Sequence, residues 1–323
     1  MRIKSGWFGI AVICLGMGLA ACGGQDAEAP DDTAAVVDEA ADDAAADDAT
    51  TDDAEAAAPE EAMPAEAEPV APPIASFVAT DYAFEGPADL PAGLTEIRLA
   101  NKGEEIHHLQ FALLDEGKTA EDLGAAMGEN PEAVPDFVTL LGGPNGAMPG
   151  ETVNAYVDLV PGDYVLMCTV PSPDGVVHAE KGMMSTLSVA APEGEGEAAA
   201  AAPEADLTVT GSDFAFDAPE TIAAGAHTIN FVNAGQQDHE IVVVKLDEGA
   251  TIEDFAAAFG PDAPPGPPPG RTVSGTVGIT PGSNQSFDTS FESGSYALIC
   301  FFPDPASGAP HFALGMTHPF TVE

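Results

Sequence analysis

The chain has 323 residues, with 54 acidic residues against 8 basic ones and a formal net charge of −46 at pH 7. This length suggests about two domains of ~150 residues each. The charge argues against nucleic acid as a partner, because binding it requires Lys and Arg to displace counterions. A cation, a basic protein or a salty environment fits better.

Residues 1–22 are predicted to be an export signal. Arg2 and Lys4 form a positive start, and the apolar stretch from Trp7 to Leu19 is too short and too Gly-broken for a comfortable transmembrane helix. The stretch ends in Leu19-Ala20-Ala21-Cys22.

That ending resembles the lipobox of bacterial lipoproteins, which implies that Cys22 carries lipid and becomes the mature N-terminus. A plain secretory signal with an accidental Cys22 is the alternative. We expect a protein outside the cytoplasm, anchored to a membrane through its N-terminal lipid, on the periplasmic side or at the outer membrane. Gly23, which follows the Cys, favours the outer membrane by the same resemblance.

Two segments have compositions that favour disorder. Residues 23–73 are nearly all Ala, Asp, Glu and Pro and hold 17 of the 54 acids, which predicts a disordered acidic tether. Residues 192–205 have a similar composition and are predicted to be a linker.

The two remaining blocks, residues 74–191 and 206–323, are copies at a constant offset of 132 residues. Matching pairs run through both blocks: Asp81-Tyr82-Ala83-Phe84 on Asp213-Phe214-Ala215-Phe216, Asn101 on Asn233, Gly103 on Gly235, Tyr164 on Tyr296 and Cys168 on Cys300. We therefore predict two domains of one fold.

Each copy is predicted to be mostly strand. Short apolar segments bounded by Gly, Pro and Asn include Thr95–Leu99, His107–Leu113, Thr152–Leu159 and Tyr164–Cys168. One short helix per copy is expected after the capping residues Thr119 and Thr251, each with an acid three residues on. The fold class is therefore all-β, with two tandem Greek-key β-sandwiches.

Cysteine usage points to a metal thiolate. Cys14 leaves with the signal and Cys22 is the lipid site, so Cys168 and Cys300 remain, one in each copy. An exported protein normally pairs its Cys residues, and no pair is available within either copy.

Histidine and methionine repeat around these cysteines. The predicted ligand sets, one per copy, are His107, Cys168, His178 and Met183, and His239, Cys300, His311 and Met316. Imidazole, thiolate and a weak thioether together suit copper in both oxidation states. The sequence therefore predicts one copper ion in each domain.

Strand alternation favours His107 over its neighbour His108. Leu109 and Phe111 would share a face with His107 and point inward, whereas the counterpart of His108 in the second copy is Glu240.

The pattern resembles the cupredoxin family, which includes plastocyanin and azurin. The motifs that carry the likeness are Asn-x-Gly before the first His (Asn101 to His107 and Asn233 to His239), Gly-x-Tyr-x-x-x-Cys (Gly162 to Cys168 and Gly294 to Cys300), and the closing His and Gly-Met of each copy. This resemblance implies type 1 copper, electron transfer through the ligand His nearest the surface, and a basic redox protein such as a cytochrome as partner.

One departure concerns the loop from Cys to the second His. It has nine residues in the first copy (Thr169–Val177) and ten in the second (Phe301–Pro310), where the family usually has two to four. The loop either bulges outward or displaces His178 and His311.

An enzyme is not expected, because copper enzymes of tandem cupredoxin build use extra His-x-His ligands and this chain has no such pair among its seven His. Two alternatives to electron transfer stay open. One is a copper-binding or delivery lipoprotein without redox cycling. The other is a metal-free β-sandwich that binds a partner.

Overall fold

The computed structural model describes residues 70–130, 133–191, 200–260 and 262–323. The predicted export signal with Cys22, the tether and most of the predicted linker lie outside these residues. Neither α-helix in the described part of the chain has the length and apolar character needed to cross a membrane.

The described elements form two similar series, apart from one 3-10 turn (His311–Leu314) in the second. The first series is β1 (Ile74–Thr80), β2 (Ala83–Glu85), β3 (Asp89–Pro91), β4 (Gly93–Asn101), β5 (Gln110–Leu114), α1 (Ala120–Glu129), β6 (Val138–Leu140), β7 (Thr152–Leu159), β8 (Gly162–Met167) and β9 (Met184–Ala190). The second is β10 (Leu207–Ser212), β11 (Ala215–Asp217), β12 (Thr221–Ile222), β13 (Gly225–Asn233), β14 (His239–Leu246), α2 (Ile252–Ala257), β15 (Gly270–Ile279), β16 (Asn284–Phe291), β17 (Gly294–Ile299) and β18 (Thr317–Val322).

The first half is a sandwich of two sheets. Strands β2, β1, β4 and β7 lie side by side in one sheet, and β3, β9, β8, β5 and β6 form the other. Alternate residues of both sheets point inward and build one core, as expected of a sandwich. Its buried members include Phe77, Leu99, Phe111, Tyr164 and Leu166.

The second half repeats this arrangement. Strands β11, β10, β13 and β16 face the sheet of β12, β18, β17, β14 and β15. Phe231, Phe287, Tyr296 and Leu298 fill the equivalent core. The predicted all-β class with two cupredoxin-like sandwiches is confirmed.

The two halves join in two places. Strand β7 pairs with β16 at Tyr156 and Ser286, so that one eight-stranded sheet runs through both halves. Residues 141–147, which follow β6, stay hydrogen-bonded to residues 107–111 of their own half and also bridge to β15 through the pairs Leu141–Ile279 and Pro144–Thr276.

Gly143 lets the segment 141–147 lie close to the backbone of Leu109. Its φ of 135° lies in the left-handed region, and a Cβ there would collide with the carbonyl oxygen of Leu109. Its counterpart Gly275 has a φ of 148° and the same relation to Ile241.

Local predictions held with small changes. Both helices begin after the predicted caps, since Thr119 and Thr251 each form a capping box with the acid three residues on. Strand β7 has the predicted bounds. Strand β5 starts only at Gln110, although His107 still forms an isolated backbone bridge to Ala147.

A tyrosine in each half closes the turn before it. The Tyr164 hydroxyl donates to the carbonyl of Val160 (2.8 Å) and accepts from the N–H of the same residue (3.0 Å). Tyr296 makes the same pair of bonds with Glu292, at 2.9 and 3.2 Å. Both rings are almost fully buried.

We predict that Tyr164→Phe lowers the free energy of unfolding by about 1–3 kcal/mol, because two backbone groups of Val160 lose their partner. Tyr296→Phe should cost a similar amount, since its bonds are the same. Denaturant unfolding of each variant measures this, and a change below about 0.5 kcal/mol in both would contradict it.

Candidate metal centres

Three donor atoms converge in the core of the first half. The Nδ1 atoms of His107 and His178 lie 3.0 Å apart. The Sγ of Cys168 lies 3.4 Å from Nδ1 of His178 and 3.9 Å from Nδ1 of His107. All three residues are fully buried.

The second half repeats the cluster. Nδ1 of His239 and Nδ1 of His311 are 3.0 Å apart, and Sγ of Cys300 lies 3.5 Å from Nδ1 of His311. In each cluster the three ligand atoms lie within 4.8 Å of one another.

The other ring nitrogen of each histidine is held by an oxygen. In the first half Nε2 of His107 bonds Asp81 and Nε2 of His178 bonds Glu105, both at 2.9 Å. An Nε2 that bonds a carboxylate carries the proton, so each Nδ1 is left with a lone pair.

The corresponding partners in the second half are Asp213 for His239, at 3.1 Å, and Gln237 for His311, at 2.9 Å. The Oε1 of Gln237 is an acceptor, so the proton of His311 again lies on Nε2.

The positions of the Nδ1 and Sγ atoms in each cluster leave a place for a cation between them. Two lone pairs that face each other at 3.0 Å repel, and a cation between them removes the repulsion. Two imidazoles with one thiolate are the in-plane donors of a type 1 copper site. The residues present therefore fit copper, at two sites in the part of the chain that the structure describes.

Burial disfavours the charged forms of His107, His311 and both thiols. Burial lowers the pKa of His107, and the Asp81 carboxylate opposes that shift only in part. Burial, together with the charge of His239, lowers the pKa of His311 to about 4.

Burial also raises the pKa of the Cys168 thiol to about 12, although the backbone N–H groups of His108 and Val170 favour the thiolate. The Cys300 thiol is shifted in the same direction for the same reason. A metal that binds must displace the thiol proton, after which these N–H groups are available to the charged sulfur.

The two methionines lie beside the clusters. Met183 is fully buried, its N–H donates to the carbonyl of His178 at 2.9 Å, and its carbonyl accepts from the N–H of Cys168 at 3.2 Å. Met316 has the same bonds to His311 and Cys300, at 2.9 and 3.3 Å. Their placement as axial ligands stays a prediction from the sequence.

The long loops between Cys and His fold back on themselves. In the first, Pro171 bridges to Val177 and the N–H of Ser172 bonds the carbonyl of Val176. The chain then returns, and the N–H of Ala179 bonds the carbonyl of Cys168 at 2.8 Å. The extra residues bulge outward, and His178 stays beside the thiol.

The second loop closes in the same way. Pro303 bridges to Pro310, and the N–H of Phe312 bonds the carbonyl of Cys300 at 2.9 Å. His311 therefore starts its 3-10 turn next to the thiol.

The Asn-x-Gly motif positions the first histidine. The side chain of Asn101 donates to the carbonyls of Glu105 (2.7 Å) and Ala147 (2.8 Å), which fixes the loop before His107. A Cβ on Gly103 would collide with the Asp81 carboxylate and with Nε2 of His107, so Gly leaves room for their bond.

The oxygen partners of the histidines were not predicted. Asp81 and Asp213 stood in a repeated motif, which was a usable signal. Glu105 and Gln237 differ between the copies, and nothing in their local pattern distinguished them. His178 and His311 are both fully buried, so electron transfer through the ligand His nearest the surface stays a prediction from the resemblance.

His108 lies outside the cluster, on the other face of its segment. It is 7 % exposed, and its Nε2 accepts from the N–H of Thr169 at 2.8 Å. Glu240, its counterpart, is equally buried and accepts from the N–H of Phe301 at 3.0 Å.

Comparison with known proteins finds no matching family model and no matching curated protein. Among solved structures, reduced auracyanin from Roseiflexus castenholzii is 24% identical, with a TM-score of 0.26, over 36% of this chain and 94% of its own. Auracyanin A from Chloroflexus aurantiacus, described as a "blue" copper protein, is 21% identical, with a TM-score of 0.25, over 37% and 99%. A copper-containing nitrite reductase from Thermus scotoductus is 14% identical, with a TM-score of 0.23, over 77% and 61%.

The auracyanin likenesses each cover a little over one third of this chain. The metal is indicated by the chain's own donor atoms. Each half of this chain is a cupredoxin-like β-sandwich with a buried His–Cys–His cluster that fits one copper ion.

Proposed function

We propose that this protein carries electrons through one type 1 copper in each half. The observation that carries the proposal is the pair of Nδ1 atoms, 3.0 Å apart, whose rings are fixed from behind by hydrogen-bonded oxygens. Bound copper supplies a one-electron couple between Cu(I) and Cu(II).

Rigid donors suit such a couple. The rings of His107 and His178 cannot rotate without breaking a bond to Asp81 or Glu105. Hydrogen-bond partners behind the ligands hold those ligands in place and tune the metal. A site whose ligands move little between the two oxidation states exchanges electrons with little rearrangement.

The surface above the first site is formed by the partners of the histidines. The carboxyl side chains of Asp81 and Glu105 are about one quarter exposed, at 25% and 24%. Tyr82 packs edge-on against His178, with ring centroids 5.0 Å apart, and donates to Glu105 at 2.8 Å. We propose that electrons cross this layer.

Electron transfer is proposed in preference to catalysis. The His and Cys donors of both clusters are fully buried, so a substrate would have no open path to the metal. The acidic residues above His107 and His178, with a net charge of −46 for the chain, favour a basic redox protein such as a cytochrome as partner.

The first prediction concerns the thiolates. Cys168→Ser and Cys300→Ser should each remove about half of the bound copper, because a hydroxyl does not replace a soft thiolate. Metal analysis and the thiolate-to-Cu(II) absorption band measure this. His227→Ala, a histidine outside both clusters, is the control and should lose none. Full copper retention in the double Cys variant would refute the site.

The second prediction uses a difference between the hydrogen-bond partners of the second histidine in each half. Glu105 places a carboxylate on His178 where Gln237 places an amide on His311. The carboxylate makes the imidazole a stronger donor and favours Cu(II), so the first site should have the lower potential.

Glu105→Gln should raise the potential of the first site by about 60 mV, which corresponds to a tenfold change in relative affinity for Cu(I) and Cu(II). The matched change Gln237→Glu should lower the second site by a similar amount. Voltammetry of each loaded protein checks both. Reversible one-electron waves support the carrier, whereas absent waves with ready copper loss would favour a copper-delivery protein.

The third prediction concerns the anchor, which we propose to be lipid on Cys22. Cys22→Ala should move the protein from the membrane fraction to the soluble extracytoplasmic fraction, because the chain loses its acyl groups. Fractionation and mass spectrometry of the mature N-terminus test this. An unmodified N-terminus in the native protein would end the proposal.

A further inference from the structure

A polar cluster lies buried between the two halves, and electron transfer at either site alone does not require it. It consists of His108, Asn145 and Glu240. His108 and Glu240 occupy the same position in the two copies, each next to the first His of its site, and Asn145 lies on the segment 141–147 that bridges to β15. Their exposures are only 7%, 4% and 7%.

Each end of the cluster is bonded to the residue that follows a cysteine ligand. The N–H of Thr169, next to Cys168, donates to Nε2 of His108 at 2.8 Å. The N–H of Phe301, next to Cys300, donates to Oε1 of Glu240 at 3.0 Å.

Asn145 joins the two ends. Its Nδ2 donates to Oε2 of Glu240 at 3.0 Å, and its side chain also interacts with His108. Because Nε2 of His108 accepts from the N–H of Thr169, the ring proton lies on Nδ1, and the ring carries no charge at its Thr169 end.

The cluster is not needed simply to hold the halves together. Asn154 and Tyr156 both donate to Asp288 across the junction, at 2.7 and 2.8 Å, in a partly exposed position where polar groups cost less. In the second copy, the position equivalent to Asn145 is Val277. These buried polar side chains, which lie between the residue after Cys168 and the residue after Cys300, therefore need an explanation other than cohesion of the halves.

We propose that His108, Asn145 and Glu240 form a hydrogen-bonded connection that passes electrons between the two metal sites of one chain. This inference rests on the proposed function. One electron leaves a reduced site, whose ion goes from Cu(I) to Cu(II), and enters an oxidised site, whose ion goes from Cu(II) to Cu(I). No atom or proton is transferred. Covalent and hydrogen bonds couple donor and acceptor better than an empty gap of equal length.

The difference between Glu105 and Gln237 gives the transfer a direction. A carboxylate behind His178 favours Cu(II) in the first half, so an electron that enters there comes to rest in the second half. The chain then acts as one unit with an entry site and a holding site.

The test is rapid one-electron reduction of the full chain loaded with copper at both sites. The thiolate-to-Cu(II) bands or EPR signals of the two sites are assigned with Cys168→Ser and Cys300→Ser. We expect a phase, independent of protein concentration, in which one signal is lost as the other recovers. Asn145→Val should slow this phase by about tenfold or more, because the side-chain contacts of Asn145 to Glu240 and His108 disappear.

Asn154→Val is the matched control, since it removes an inter-half amide contact elsewhere and should leave the rate within about twofold. If Asn145→Val does not fold or loses copper, Glu240→Gln serves instead. It keeps the size and the bond from Phe301, but places an amide NH₂ against that of Asn145. Absorption spectra and potentials of both sites should stay unchanged in Asn145→Val and Asn154→Val, and the potentials of Glu240→Gln are measured so that its rate is compared at the same driving force.

An unchanged rate in both bridge variants, with copper retained, overturns the inference. So does the absence of the internal phase in the native chain while each site still accepts electrons from outside, a result that leaves the proposed function standing. Failure of either site to take up electrons at all would instead overturn the proposed function, and the connection with it.

Discussion

The sites depend on which ring nitrogen of each ligand histidine carries its proton. Asp81 and Glu105 bind Nε2 in the first half, and Asp213 and Gln237 do so in the second. With the proton held on the outer side, the inner nitrogen faces the thiol as a free donor. In the metal-free protein the imidazole rings thus already have the orientation and tautomer that a bound ion needs. The cost is the repulsion between the two Nδ1 lone pairs that face each other in each half.

Much of the surrounding backbone maintains that constraint. Asn101 ties the loop before His107 to the segment that reaches the other half, and Gly103 leaves space for the carboxylate. The hairpin after Cys168 accommodates the extra loop residues. It brings the chain back to the end of β8, where the N–H of Ala179 bonds the carbonyl of Cys168 and His178 lies beside the thiol. The second half does the same with Asn233, Gly235 and its own hairpin.

The sequence predicted what depends on short, repeated patterns. The duplication, the sandwich class and the helix caps followed from spacing and residue type, and the His and Cys residues singled out as ligands are the ones brought together. Alternation along the strand separated His107 from His108 because one face of that segment is apolar.

The sequence did not predict the contacts between segments that lie far apart in the chain. The bond between Asp81 and His107 crosses from the end of one strand to the start of another, and residue spacing does not determine it. The course of the Cys-to-His loop depends on a hairpin of Pro and Gly residues with no apolar period. Asn145 breaks the repeat, since Val277 stands in the second copy, so the duplication gave no hint of its role.

The junction of β7 with β16 has a consequence for the origin of the chain. Tyr156 pairs with Ser286, and Asn154 bonds Asp288. After the repeat offset is removed, these are reciprocal contacts between positions 154 and 156, the pattern of an isologous twofold interface. An ancestor with a single sandwich would have met a second copy of itself through this strand edge. Fusion of the two genes would then have made the pairing permanent and freed the copies to diverge, as Glu105 and Gln237, or His108 and Glu240, have done.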